Sequence, residues 1–295
     1  MFFKMNFEPS DLAICETLGV LDWKHGLAGT LEDVVYSKFA RRISDPRQYV
    51  PATGQTWTSL HRSQALQKNN FETDPSNPNI HYITTAPLSP SELPPGLADT
   101  SSTRKQLGIG QRAILLQTSG GNVLWDCVAF LNPDTISFIN SKGGIKAIVI
   151  SHPHFYTTHL EWAGVFKCPV YMAGVDQEWL NRADKDGMRK FFGAAGGETQ
   201  IGEVGRESGF KNAKHIPDTT SYTFMWAYPN MIPLTPKAIL GIWKAIKGLD
   251  FDSTYGGFPG QNLIRPDLKA QVLESMKIFL RRGGHEGAEV YGESV

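Results

Sequence analysis

Cysteine is scarce in this chain. Only Cys15, Cys127 and Cys168 occur among 295 residues, an odd number at wide spacing. That argues against a disulfide framework and for reduced thiols in a cytosolic compartment. A surplus of one charge is also missing. Lys plus Arg number 29, as do Asp plus Glu, so the net charge is zero. No electrostatic case arises for nucleic acid or an anionic membrane as a partner. No apolar run approaches the length of a membrane span. The opening MFFKMNFEPSDLAIC lacks a signal-peptide core and cleavage site, so export is not expected. There is no internal repeat. These absences leave the expectation of a cytoplasmic protein with neither nucleic acid nor membrane as a partner.

What is present suits a globular protein. Hydrophobic residues make up 41% and charged residues 20%, and the length allows a substantial core. Residues 1–83 read as an irregular N-terminal region, in which His25, His61 and His81 are scattered in surface or satisfied-core roles. Residues 84–106, TTAPLSPSELPPGLADTSSTRKQ, read as a Pro/Ser-rich linker or inserted loop with little to bury. From 107 to 282 the pattern is that of a folded domain. Residues 283–295, with His285, read as a frayed tail.

Within 107–282 the elements alternate. Arg112–Thr118 and Asn122–Val128 read as strands joined by the turn Ser119-Gly120-Gly121-Asn122. Asn132-Pro133 opens a helix that Gly143 closes. Ile145–Ile150 is a β-branched run suited to a buried strand. A helix follows, capped by Thr157 or Thr158, then a strand at Pro169–Ala173 and a helix at Asp176–Arg182. This is an α/β order. Between Gly187 and Asp218 the signal collapses into glycine-rich sequence. Thr219–Leu234 is aromatic and suits either a pocket lining or a core. Helices from Thr235-Pro236 to Gly248 and from Pro266-Asp267 to Arg282, with a short strand at Phe251–Tyr255, complete the domain.

The chemistry gathers at Ser151-His152-Pro153-His154, the carboxyl end of the Ile145 strand. Ligands collect at that end of strands in α/β folds. An H-x-H on a tight turn aims two imidazoles at one point and suits Zn²⁺ or a similar ion. Either histidine can instead cap the next helix. His159 follows five residues after His154 and is the best third ligand. Its face depends on where the helix starts. Asp126, at a strand end, can orient a ligand histidine or simply close its strand. Glu161 reads as a solvated helix residue.

The segments GQRAILLQTSGGNVLWDCV, KAIVISHPHFYTTHLEWAGVFKCPVYMAGVDQEWL, TTSYTFMWAYPNMIPL and FDSTYGGFPG resemble the metallo-β-lactamase-fold superfamily. The similarity is to a fungal and bacterial branch whose first motif reads H-P-H-[FY]-Y. The N-terminal segment DPRQYVPATGQTWTSL matches that branch too. The resemblance implies an αββα sandwich, incomplete here in its second half, and a hydrolase using one or two metal ions. Departures from the family pattern are clear. The usual first motif is H-x-H-x-D-H. Tyr156 stands at the Asp position and Thr157 at the next His, with His159 two residues later. The glycine-flanked His and the bridging Asp are absent, and His215 lacks their surroundings. Tyr255 stands at the last His. Cys15 is alone where related sequences pair cysteines as in a zinc ribbon.

The resemblance thus implies one zinc, or another divalent ion, weakly held by His152, His154 and His159. Bound water acidified by the ion would attack the ester, lactone, thioester or amide carbonyl of a small-molecule substrate. Tyr156 can donate to the developing oxyanion or pack as an aromatic. The other reading is a non-catalytic relative that keeps the fold as a binding or structural module, a pseudoenzyme.

Overall fold

A computed structural model describes residues 2–4, 22–23, 35–37, 57–59, 63, 65–96, 110–151, 155, 158–180, 183–192, 203–204, 222–227 and 231–295. Its strands are β1 (Phe2–Lys4), β2 (Asp22–Trp23), β3 (Val35–Ser37), β4 (Trp57–Ser59), β5 (Gln67–Asp74), β6 (Asn77–Pro87), β7 (Arg112–Leu116) and β8 (Val123–Trp125). They continue as β9 (Ala147–Val149), β10 (Val170–Ala173), β11 (Arg189–Phe192), β12 (Glu203–Val204), β13 (Phe224–Ala227), β14 (Ile232–Pro233), β15 (Ser253–Tyr255) and β16 (Asn262–Ile264). The α-helices are α1 (Pro133–Ser141), α2 (His159–Phe166), α3 (Pro236–Ile246) and α4 (Leu268–Arg282). The class is α/β, as the sequence implies. Two compact units divide the chain: residues 19–44 with 50–194, and residues 1–18 with 45–49 and 195–295.

The larger unit is built on a seven-stranded sheet of order β11-β10-β9-β8-β7-β6-β5. From β5 to β8 the neighbours are antiparallel. From β8 to β11 they are parallel. The parallel half needs crossovers, and α1 and α2 supply two of them. Asn132 accepts the Thr135 amide at 3.0 Å and Pro133 occupies the first turn, so α1 starts where the sequence places it. Ile83, Ala113, Leu115, Leu124, Ile148 and Val170 bury one sheet face together with Ile139 of α1 and Trp162 and Ala163 of α2. Each fully buried aliphatic side chain there contributes about 1.5–3 kcal/mol. A separate three-stranded sheet, β2-β3-β4, belongs to the same unit.

The β5–β6 hairpin corrects two boundaries of the sequence reading. Residues 67–74 and 77–83 are strand rather than irregular chain, and Thr84–Pro87 end β6 rather than begin a linker. Asp74 builds the turn: its Oδ1 accepts the amides of Ser76 and Asn77, both at 2.9 Å, and its Oδ2 accepts the Tyr82 hydroxyl. β5 is held by polar groups. Asn69 donates to the Phe130 carbonyl at 2.6 Å and to Thr135 Oγ1 at 2.8 Å, and accepts the Thr85 hydroxyl at 2.7 Å. His81 fills a satisfied-core role, bonded to Thr73 Oγ1 at 2.9 Å and Gln117 Oε1 at 2.7 Å. Beyond Pro87, Pro90–Glu92 form a short 3-10 turn, and Lys68 donates to Glu92 at 2.6 Å. Residues 97–106 lie outside the described residues. The expected helix from Asp176 is a 3-10 turn, Gly174–Trp179.

The smaller unit pairs α3 and α4 around a second core. Tyr222, Phe224, Leu234, Ile239, Trp243, Val272 and Met276 are buried together there. The described aromatic residues of 219–234 are therefore core rather than pocket lining. Thr235 caps α3 by accepting the Ala238 amide at 3.3 Å. The sheet β1-β15-β16 and the sheet β12-β13-β14 complete the unit. Its tail is packed, not frayed, which corrects the last boundary. Val290 is buried, and the Glu293 carboxylate accepts the Trp243 indole N–H at 3.0 Å and Lys247 Nζ at 3.1 Å. Lys277 donates to the Glu293 carbonyl at 2.7 Å. Hydrogen bonds to two helices offset the ordering entropy of a short tail. No described helix is long and apolar enough to cross a membrane.

Candidate functional site

In sequence the H-x-H motif lies between β9 and α2. Strands β8 and β9 are parallel neighbours, so their carboxyl ends lie side by side. Asp126 sits just past the end of β8 in a left-handed conformation, φ 60°. A short polar side chain tolerates that region better than most residues do. Its amide donates to the Val149 carbonyl at 2.8 Å. Its two carboxylate oxygens accept the Ser151 amide and the Ser151 hydroxyl, each at 2.8 Å. Asp126 and Ser151 are both buried. Ser151, the residue before His152, is thus held at two points, and Val149 of the same strand at a third. His152, Pro153 and His154, with Tyr156 and Thr157, lie outside the described residues.

Thr158 takes the N-cap position of α2, but its hydroxyl does not cap the helix. It donates toward the carbonyls of Ala129 at 3.2 Å and Val128 at 3.4 Å, and accepts the Trp162 indole N–H at 3.1 Å. The helix start is therefore tied to the loop after β8. That settles the face of His159, which lies fully buried on the side of Trp162 and Ala163. Its Nε2 accepts the Nε–H of Arg189, at 2.9 Å. Glu161 is half-buried in the first turn.

Arg189 is a residue the sequence reading missed. It is the first residue of β11, in the stretch where no periodic pattern survives. The signal available was Asp184-Lys185-Asp186-Gly187, a turn sequence preceding it. Asp184 accepts the amides of Met188 at 3.0 Å and Arg189 at 2.7 Å. Burial works against its charge, but these amides and the Arg189 guanidinium outweigh it and hold the Asp184 carboxyl below its usual range.

The donor set fits a metal only in part. Among the described residues no three His, Cys, Asp or Glu side chains come together as a metal group. His159 is a buried imidazole, a sound ligand type, but its Nε2 accepts the Arg189 Nε–H. The two described thiols, Cys127 and Cys168, add no nucleophile. Burial pushes Cys168 up to about 11 and, with Asp126 adding to it, pushes Cys127 well above the ordinary thiol range.

No protein-family model matches the chain. Among solved structures it is similar to one described as the first B3 metallo-β-lactamase with an active-site glutamic acid. That likeness has 14% identity and a TM-score of 0.35 over 83% of this chain and 100% of that one, which is too slight to argue from. Similarity at the sequence level is stronger. The chain is 32% identical over 237 residues to the uncharacterized protein YmaE of Bacillus subtilis (strain 168), a match that covers 72% of this chain and 79% of YmaE. On that identity and coverage, the chain belongs to the YmaE family.

Proposed function

We propose that the chain is a cytoplasmic, metal-dependent hydrolase of the metallo-β-lactamase superfamily, acting on a small ester, lactone, thioester or amide. The ligands are His152, His154 and His159, and the ion is zinc or another divalent metal. The observation that carries this reading is the Asp126 clamp on Ser151. A buried carboxylate in a left-handed conformation immobilises the residue before an H-x-H, at the carboxyl ends of adjacent parallel strands. Rigid support of this kind is what a metal-binding turn requires. When bound, a divalent ion supplies Lewis acidity and an acidified water. The chain's own part is to fix where the turn begins through Asp126 and where it ends through Thr158. Tyr156 is placed in sequence to donate a hydrogen bond toward a developing oxyanion.

The Arg189 bond to His159 favours a second reading, a non-catalytic relative in which a guanidinium permanently takes the third ligand. Metal analysis of the purified protein, with a chelator-sensitive assay on activated esters and lactones, separates the two. The hydrolase reading expects about one bound ion and slow turnover. Protein that purifies without metal and stays inert under zinc supplementation belongs to the second reading.

A further inference from the structure

We infer that the segment after His285 is a gate: residues 286–295 leave α3 and α4 as one unit, with both helices intact, and their release opens a cavity of about 510 Å³. One wall of that cavity is the start of α3, from Thr235 to Leu240, and the other is Gly284–Glu289. Backbone bonding makes the segment separable. The amides of Ala288, Tyr291 and Glu293 donate to the carbonyls of His285, Ala288 and Val290, around the 3-10 turn Glu289–Gly292. The amides of Gly283, Gly284 and His285 cap α4 instead, on the carbonyls of Phe279, Arg281 and Leu280. Gly284, at φ 79°, turns the chain away from the helix there. Beyond His285, every described hydrogen bond to the helices runs through Glu293. Its carboxylate accepts from Trp243 and Lys247, and its carbonyl from Lys277. Val290 is the one buried side chain of residues 283–295.

The closed position also carries a penalty. The Tyr291 hydroxyl oxygen is buried with no hydrogen-bond partner among the described residues. A buried polar group left unpaired costs about as much as a good hydrogen bond contributes. Release returns that hydroxyl to water. A single latch at Glu293 and an orphaned hydroxyl at Tyr291 therefore act in opposite directions two residues apart. That balance places the segment at the low-stability end of its unit, where elements open locally while the core stays folded. Opening uncovers Leu240, which is buried at the start of α3 and lines the cavity.

The experiment is residue-resolved amide exchange by NMR on the full chain across low urea concentrations, in wild type, Glu293→Ala and Tyr291→Phe. In wild type the amides of Ala288, Tyr291 and Glu293 should be open at least about tenfold more often than interior amides of α3 and α4, with a weaker dependence on urea. Glu293→Ala should raise their exchange about fivefold or more. Tyr291→Phe, which removes the unpaired hydroxyl, should lower it by a similar factor. Access to the cavity is read by Leu240→Cys with a bulky thiol reagent, the labelled site being mapped by mass spectrometry. Its labelling should show the weak urea dependence of the segment's amides. Labelling that follows the helices' urea dependence means that the cavity opens only by unfolding, and overturns the gate. Equal opening and equal urea dependence of segment and helices in wild type overturn it too, and decide the matter should a variant fail to fold. Exchange that Tyr291→Phe leaves unchanged or speeds removes the penalty on the closed position and defeats the inference.

Discussion

Replacing Asp126 tests the clamp quantitatively. Asp126→Ala removes both acceptors from Ser151, whose amide and hydroxyl are buried. Each lost hydrogen bond to a charged group costs about 1.5–3 kcal/mol. Alanine also tolerates φ 60° poorly, adding about 1 kcal/mol. The sum is a loss of about 4–7 kcal/mol, large against the usual stability of a domain. Glycine separates the parts, because it accepts the backbone conformation but supplies no acceptor. Asp126→Gly should therefore be milder than Asp126→Ala by about 1 kcal/mol. Asparagine keeps one oxygen for the Ser151 amide and can donate to its hydroxyl, since Oγ also accepts. It should cost only about 1–2 kcal/mol, chiefly the lost charge. Urea unfolding of the three variants reads these differences as midpoint shifts at constant slope. If Asp126→Ala lies within about 0.5 kcal/mol of wild type, the clamp contributes no more than an ordinary surface residue, and the case for a braced metal turn goes with it.

Thr158→Val keeps the shape but leaves the Trp162 indole N–H without its acceptor, so it should cost about 1–3 kcal/mol in the same assay. Thr158→Ser should restore most of that, and a valine variant as stable as wild type would refute the role. The Glu92 carboxyl is drawn down to about 2 by its bonds to Lys68 and Ser89. A depressed folded value means stabilisation that is complete above the ordinary value of 4.5 and fades as the pH falls from there through about 2. The melting-temperature advantage over Glu92→Gln, small for a surface pair, should shrink across that window. A gap that does not change with pH would contradict it.

The α/β order was legible wherever apolar periodicity and turn chemistry coincide. The Asn132-Pro133 start of α1, the Ser119–Asn122 hairpin and the Thr235-Pro236 start of α3 all follow local rules, and local rules are what a sequence displays. β5 escaped because its buried positions include Gln67, Asn69 and Asp74. Asn69 is buried through hydrogen bonds to Phe130 and Thr135, which are not visible from the QKNNFETD segment itself. The packed tail escaped for the same reason: Glu293 is anchored by Trp243, Lys247 and Lys277, all remote in sequence. At the site, the H-x-H and the strand ahead of it were evident. The Asp126–Ser151 clamp spans 25 residues and the Arg189–His159 bond spans 30. Asp126 was singled out for its place at a strand end, but its partner is Ser151 and its backbone turns left-handed. For Arg189 the one local signal was the turn sequence Asp184–Gly187, which marks a strand start but not its partner His159.

The order of the large sheet has a consequence for how the chain assembles. Spatial order β11-β10-β9-β8-β7-β6-β5 is sequence order read backwards. No strand is inserted between two made earlier, and none pairs across a gap left for a later one. As the chain leaves the ribosome, each strand from β6 onward meets a neighbour already complete and becomes the new edge itself. The antiparallel half comes first, and its two hairpins with short connections, β5–β6 and β7–β8, can seed the parallel half. The sheet can thus grow from one side by accretion, and the last strand laid down, β11, is the one that brings Arg189 to His159.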